Sequence, residues 1–218
     1  MFAASLLFSK TFSGLSANPL TLLSPGSGTL FVMGATGSIP VGNFNRWWTV
    51  VSAGFLHGGI LHIFFNMAAF NQIAPAVTKI FGVWRMLAIY ILGGILGFCL
   101  SNMAGVEFTI GASASVCSLL GTLLYYGKSR GDEIGNTIFR QVRGWVIGLV
   151  IFGFVIPGIN NWAHGGGILG GIALGYVLGY EQKKPETVLH RALGAAGLIL
   201  TAAVLVMSIG FGFSGRFL

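Results

Sequence analysis

The chain has 218 residues, of which 54% are hydrophobic and 8% are charged, and its mean hydropathy is +0.83. A soluble domain carries charges at roughly a quarter of its positions, so this composition excludes a water-soluble globular protein and predicts an all-α membrane protein surrounded by the lipid bilayer. The net charge of +7 does not predict nucleic-acid binding, because the basic residues lie between apolar segments and are not interleaved with aromatic residues in a groove.

The first fifty residues do not contain a complete membrane span. Residues 1–8 are apolar but too few to cross a bilayer, and we interpret 1–10 as the end of a first helix that begins upstream. Residues 11–53 are rich in Gly, Ser, Pro and Thr and include Trp47 and Trp48. Tryptophan typically anchors proteins at the membrane interface, so we predict an outer interfacial loop for 11–53.

Six apolar segments follow that are long enough, or nearly so, to cross about 30 Å of hydrocarbon. In chain order they are 54–77, 84–104, 111–127, 144–157, 163–180 and 193–213. Residues 54–180 contain the polar residues considered below, and 190–213 form an additional C-terminal helix. The fold class is therefore a polytopic transmembrane helical bundle, in which 1–218 form one membrane domain of seven helices with the first truncated.

The basic residues orient this bundle. Nine of the twelve Lys and Arg residues lie in the gaps 78–85, 128–143 and 183–191, whereas the gaps 105–110 and 157–161 contain none. Because basic loops stay on the cytoplasmic side, we expect the second pair of gaps to face outward. The setting that we expect is a bacterial plasma membrane.

Three polar side chains are predicted to lie at one depth. His62, Ser113 and His164 precede the charged residue at the inner end of their helix by 17, 15 and 17 residues. At 1.5 Å per residue these spacings correspond to about 26, 22 and 26 Å, which places all three a few ångströms below the outer surface. Because polar residues within spans are costly, they indicate a functional site.

Small residues on two of the helices predict that Ser113 and His164 meet. Ser113, Cys117 and Gly121 share one side of their helix, and His164 and Gly167 share one side of theirs. Small residues at this spacing allow membrane helices to approach closely. Close packing of these two helices is expected whether or not the protein is an enzyme. The functional hypothesis adds that this packing brings the Ser113 hydroxyl within reach of the His164 imidazole.

A third helix supplies hydrogen-bond donors. His62 and Asn66 are four residues apart and can point into one pocket, as can the backbone N–H of Ser113 at the start of its helix. Such donors stabilise the oxyanion of a tetrahedral intermediate. The only acidic residue in the predicted outer loops is Glu107, so the composition predicts a dyad of Ser113 and His164 and not a triad.

Three motifs of the sequence resemble those of rhomboid intramembrane serine proteases. They are FLHGGILHIFFN at 55–66, GASAS at 111–115 and AHGGG at 163–167. The resemblance implies a six-plus-one helix bundle that cleaves transmembrane segments of other membrane proteins near their outer end, with no cofactor and no metal ion. It implies Ser113 as nucleophile and His164 as base, and the segment 144–157 as a lateral gate for substrates. The implied supporting positions are His57, Gly111, Cys117 and Gly167.

The sequence departs from the family pattern at three places. Ala114 replaces the glycine after the nucleophile, and Cys117 stands where an aromatic ring usually stacks on the catalytic histidine. In the first loop, Arg46 followed by Trp47 replaces the family's Trp-Arg pair.

Other classes of protein remain as alternatives. A catalytically inactive rhomboid-like protein would use the same fold to bind membrane clients. A haem protein with two histidine ligands would not explain Ser113 or Asn66 at the same depth. A channel or transporter is disfavoured, since we find no internal repeat and the outer loops have almost no charge.

Overall fold

A computed structural model of the chain describes residues 1–9, 12–13, 22–182 and 184–214. These residues are mostly helical, which confirms the all-α fold class. In chain order the α-helices are α1 (Phe2–Phe8), α2 (Ser27–Val32), α3 (Thr49–Ser52), α4 (Ile60–Phe81), α5 (Val83–Met103), α6 (Ser113–Arg130), α7 (Glu133–Val155), α8 (Asn161–Leu178) and α9 (Val188–Ser214). Two short strands, β1 (Phe12–Ser13) and β2 (Ser24–Pro25), pair in antiparallel fashion.

Helix α6 lies at the centre of the bundle. It packs against α4, α5, α7 and α8, and most of its residues are buried. Helix α7 is the opposite case, because Gly135 and Val142 are its only buried residues. The core therefore forms around α6, and α7 lies at the periphery of the bundle with most of its surface facing outward.

Four of the described helices are long and apolar enough to cross a membrane, namely Ile60–Phe81, Val83–Met103, Glu133–Val155 and Val188–Phe213. The sequence predicted six such spans, and the two that do not meet this criterion are α6 and α8. Each has 18 residues and is rich in Gly or Ser. Most of α6 is enclosed by other helices, so protein surrounds its side chains and its composition need not be as apolar as that of a lipid-facing helix. Helix α8 buries its glycines against α5 and α6 and leaves Leu169, Tyr176 and Val177 exposed.

The predicted start of the fourth span, at residue 144, is wrong. Helix α7 begins at Glu133, where Asp132 Oδ1 accepts a hydrogen bond from the Gly135 N–H at 2.8 Å. A Cβ on Gly135 would stand 2.7 Å from the Gly127 carbonyl oxygen, so this first part of α7 packs closely on α6. Basic residues interrupt the apolar pattern between 133 and 144, so the hydropathy of this stretch did not indicate its three turns of helix.

The outer loop contains more structure than its composition predicted. Helices α2 and α3, a π-helical turn at Ile39–Asn43 and a 3₁₀ turn at Ala53–Phe55 lie within or just after 11–53. Residues 10, 11 and 14–21 of the predicted helix end and loop lie outside the described residues. Helices of four to six residues are too short to show a helical periodicity in the sequence, so α2 and α3 could not be predicted from it. Such short helices depend on tertiary contacts for their stability.

Arg46 anchors this loop. Its guanidinium donates hydrogen bonds to the carbonyl oxygens of Phe31 at 2.5 Å and Val32 at 2.7 Å, at the end of α2. It also lies 4.7 Å from the ring centres of both Phe31 and Trp48. Arg46 therefore joins the end of α2 to Trp48, although it comes before the tryptophans and its place in the sequence differs from that in the family's Trp-Arg pair.

The C-terminal helix α9 is attached at both ends. At the outer end the ring of Phe211 lies 5.4 Å from that of Trp48, and Phe213 lies 4.6 Å from Phe8 of α1. Near its inner end, the segment preceding α9 is held by the fully buried Arg85 of α5. The additional helix thus packs against both the core and the interfacial loop.

Among the described residues, Arg85 makes extensive polar contacts at the end of the bundle that the sequence predicts to be cytoplasmic. Its guanidinium donates to the carbonyl oxygens of Lys184 at 2.6 Å, Pro185 at 3.0 Å and Phe81 at 3.0 Å. Its backbone N–H donates to Glu186 Oε1 at 2.9 Å. One buried cation therefore joins the turn between α4 and α5 to the segment that leads into α9.

Candidate active site

Ser113 and His164 are in direct contact. The distance from Ser113 Oγ to His164 Nε2 is 2.8 Å, which is that of a good hydrogen bond. Ser113 is the first residue of α6, and His164 lies in the first turn of α8 with 6% of its surface exposed. The hydroxyl and the imidazole therefore meet where the N-terminal ends of two packed helices come together.

The small residues of α6 and α8 permit this contact. A Cβ on Gly167 would overlap the Ala114 carbonyl oxygen and would stand 3.1 Å from Cys117 Cβ. A Cβ on Gly121 of α6 would overlap the Ile168 carbonyl oxygen of α8. The two backbones are thus closer than any residue with a side chain would allow at these positions.

Helix α5 provides a third glycine surface, which the sequence analysis missed. A Cβ on Gly97 would stand 2.6 Å from the Ala163 carbonyl oxygen and 3.0 Å from Ala114 Cβ. A Cβ on Gly93 would overlap the side chain of Ser118 in α6, and a Cβ on Gly94 would overlap the side chain of Ser115. Helices α5, α6 and α8 therefore pack closely against one another next to Ser113 and His164.

Gly111 brings the serine segment against α4. It has φ of +117°, a conformation that favours glycine. A Cβ here would lie 2.5 Å from His62 Nε2 and 3.8 Å from Asn66 Nδ2. The two donors that the sequence predicted on α4 therefore both face the segment that leads into Ser113, as expected from their four-residue spacing.

The hydrogen bonds of His62 define its tautomer. Its Nδ1 accepts a bond from the Gly58 N–H at 3.2 Å, so the ring proton of the neutral imidazole is on Nε2. Asn66 Nδ2 donates to the His62 carbonyl oxygen at 2.9 Å, which uses one of its two amide hydrogens. Each side chain therefore retains one N–H that can be donated next to Gly111.

His57 supports His62 through ring packing. The ring centres are 5.1 Å apart and the planes meet at 74°, an edge-to-face arrangement. His57 is 4% exposed, and neither ring nitrogen has a hydrogen-bond partner among the described residues. Its position thus indicates that it orients its neighbour by contact and does not itself donate to the serine.

Cys117 lies against Gly167, one turn along the helix from Ser113, and is 1% exposed. No aromatic side chain is present at this position to stack on His164. Among the residues that the structure describes, nothing accepts a hydrogen bond from His164 Nδ1. The imidazole is therefore oriented by its bond to Ser113 and by helix packing, without a carboxylate.

Asn160 is a polar residue of the site that the sequence analysis missed. It caps α8, since its Oδ1 accepts a hydrogen bond from the Ala163 N–H at 3.0 Å. Its Nδ2 donates to Ser101 Oγ at 2.6 Å and to Thr109 Oγ1 at 3.0 Å. An asparagine just before an apolar helix is a recognisable capping signal, and it could have been found four residues before His164.

The chemistry available to this arrangement is acyl transfer. A serine hydroxyl is paired with an imidazole, and further N–H groups of a second helix point toward the same segment. Across the described part of the chain, no group of three His, Cys, Asp or Glu side chains could hold a metal ion. Fold and site together define a polytopic helical membrane protein with a buried Ser–His pair.

Comparison with known proteins identifies the family. The Rhomboid domain model matches residues 45–181, and the chain belongs to the rhomboid family of serine proteases. It is 32% identical over 168 residues to Rhomboid protease GluP of Bacillus subtilis, covering 77% of this chain. It is 31% identical over 218 residues to RHOMBOID-like protein 4 of Arabidopsis thaliana, covering 95% of this chain. It is 30% identical over 163 residues to Rhomboid-like protease 5 of Toxoplasma gondii, covering 73% of this chain.

These relatives are longer proteins. The chain spans 31% of the length of the Bacillus protein, 55% of the Arabidopsis protein and 19% of the Toxoplasma protein. They confirm a membrane protein of the rhomboid class and the resemblance drawn from the three motifs. They do not support the expected bacterial plasma membrane, because similar proteins occur in a bacterium, a plant and Toxoplasma.

Proposed function

We propose that this protein is an intramembrane serine endopeptidase that cleaves transmembrane segments of other membrane proteins. The observation that carries the proposal is the 2.8 Å contact between Ser113 Oγ and His164 Nε2. Membership of a serine protease family and the protease names of two relatives support it.

The proposed reaction uses two acyl-transfer steps. Ser113 Oγ attacks the scissile carbonyl carbon while His164 Nε2 takes the hydroxyl proton. When the C–N bond of the tetrahedral intermediate breaks, His164 returns this proton to the leaving amine, and an ester on Ser113 remains. Water then attacks the ester with His164 again as the base, which releases the carboxylic acid and restores the serine.

Three donors are proposed to stabilise the oxyanion. They are the backbone N–H of Ser113, the Nε2–H of His62 and the second amide hydrogen of Asn66. The first lies at the N-terminus of α6, where the helix dipole also favours negative charge. Loss of one such donor costs about 10²-fold to 10³-fold in turnover in serine proteases, so Asn66→Ala is expected to be severely impaired.

Substrates are proposed to enter past α7, with water reaching the dyad from the outer side. The outer half of α7 is exposed, with Phe154 80% and Val155 67% accessible. It meets α8 where Gly153 lies against the side chain of Asn161. Cross-linking the outer half of α7 to α4 is expected to block cleavage of transmembrane substrates, and unchanged turnover would contradict the gate.

The decisive experiment compares the wild type with Ser113→Ala and His164→Ala. Each protein is incubated in detergent with a single-pass membrane substrate, and separately with a fluorophosphonate that labels reactive serines. Cleavage and labelling by the wild type alone are expected. Equal cleavage by all three proteins would refute the proposal. Client binding without cleavage or labelling would instead support the alternative, an inactive rhomboid-like protein that binds membrane clients.

A further inference from the structure

Asn160 connects three parts of the protein around the dyad. Its side-chain oxygen caps α8, and its amide nitrogen donates to Ser101 at the outer end of α5 and to Thr109 in the loop before α6. Its own carbonyl oxygen accepts the backbone N–H of His164 at 3.1 Å. One residue thus contacts both the helix that carries the imidazole and the segment that carries the hydroxyl.

The Thr109 segment is itself fixed in the fold. Thr109 and Thr36 exchange two backbone hydrogen bonds, at 2.7 and 3.1 Å. Two residues later, the Gly111 N–H donates to the Ala53 carbonyl oxygen at 2.9 Å. The chain therefore enters α6 from a rigid position, only four residues before Ser113, and the amide of Asn160 is bonded to that position.

We propose that Asn160 is a positioning residue that sets the alignment of Ser113 and His164. The proposal rests on the proposed protease function. The bonds to Ser101 and Thr109 fix the first turn of α8 in height and rotation relative to the start of α6. Without them, the glycine contacts of α8 still hold the helices together, but the outermost turn that bears His164 loses its polar attachment to the serine segment.

A matched control separates this role from ordinary helix capping. Asp132 caps α7 in the same way, with its Oδ1 accepting the Gly135 N–H at 2.8 Å, but its location is at the cytoplasmic end. Both Asn160→Ala and Asp132→Ala remove a cap of the same type. Both are expected to lower the thermal unfolding temperature, whereas only Asn160→Ala changes the geometry of the dyad.

The test is steady-state cleavage of a single-pass substrate in detergent, below the unfolding temperature of each variant. We expect Asn160→Ala to lower kcat by about 10-fold to 100-fold, the scale of a 1 Å misplacement, with KM within about twofold of wild type. We expect Asp132→Ala to retain the wild-type kcat. A kcat for Asn160→Ala equal to that of Asp132→Ala would overturn the proposal.

A second variant covers the case in which Asn160→Ala does not fold. Ser101→Ala combined with Thr109→Val keeps the cap and removes only the two hydroxyl acceptors of the amide. Its kcat is expected to fall about 10-fold, in line with partial misalignment. An unchanged kcat would count against the positioning role.

The ¹⁵N chemical shift of His164 Nε2 tests the alignment without requiring catalysis. Wild type is expected to show the shift of a hydrogen-bonded acceptor, and Asn160→Ala the shift of Ser113→Ala, in which the bond is absent. An Asn160→Ala shift identical to that of wild type refutes the inference. If the wild-type protein neither cleaves nor is labelled, the protease function fails, and this spectrum still decides the role of Asn160.

Discussion

A single methyl group at Gly167 is expected to separate the dyad. A Cβ there would overlap the Ala114 carbonyl oxygen and stand 3.1 Å from Cys117 Cβ, and relief to ordinary contact distances requires a shift of about 1 Å. Such a shift would lengthen the 2.8 Å bond between Ser113 and His164 beyond hydrogen-bonding range. Gly167→Ala should therefore lower turnover by about 100-fold and unfolding free energy by about 1–3 kcal/mol.

Gly165→Ala is the matched control for Gly167→Ala. It adds the same methyl group to the same helix, but its Cβ meets no atom within 4 Å. Rates of fluorophosphonate labelling and of substrate cleavage, measured for both variants beside thermal unfolding, should fall for Gly167→Ala alone. If Gly167→Ala keeps at least half of the wild-type rate, close helix approach does not determine the geometry of the dyad.

Three further outcomes are expected. Gly153→Val should displace either the Asn161 side chain or α7; faster cleavage of transmembrane substrates with unchanged fluorophosphonate labelling would support the gate, and slower cleavage would contradict it. Arg85→Met leaves the Glu181 carboxylate and the carbonyl groups of Lys184 and Pro185 without their guanidinium partner and should cost about 3 kcal/mol in thermal unfolding; a loss below about 1 kcal/mol would show that water replaces the guanidinium. The Gly135 N–H, and then Arg130, hold the pKa of Asp132 below its ordinary value of 3.8, so its ionised form stabilises the fold above that pH. The stability difference between wild type and Asp132→Asn should shrink as pH falls below 3.8, and a constant difference would refute this assignment.

The sequence predicted the fold class and the contact between Ser113 and His164 for a physical reason. Polar residues within apolar segments are rare, so the few that occur at one depth stand out. Glycine at regular spacing identifies helix faces that approach closely. His62 and Asn66 were placed on one face by periodicity alone, and the structure has both facing Gly111.

Other features depend on tertiary contacts and could not be predicted in this way. The start of α7 at Glu133 lies among charged residues, where hydropathy carries no helix signal. The buried position of Arg85 depends on carbonyl groups about a hundred residues later in the chain. The amide of Asn160 has partners that are 51 and 59 residues away, and such pairing leaves no local pattern.

The enclosed position of α6 has a consequence for biogenesis. Its serines and threonine are sheltered by neighbouring helices, so the segment alone enters lipid less favourably than α5 or α9. Its stable insertion therefore depends on helices synthesised before and after it. Because His164 lies on α8, which is made later than α6, a partly synthesised chain carries Ser113 without its histidine partner. Under the proposed protease function, such a nascent chain is expected to be unable to cleave the membrane proteins being inserted beside it.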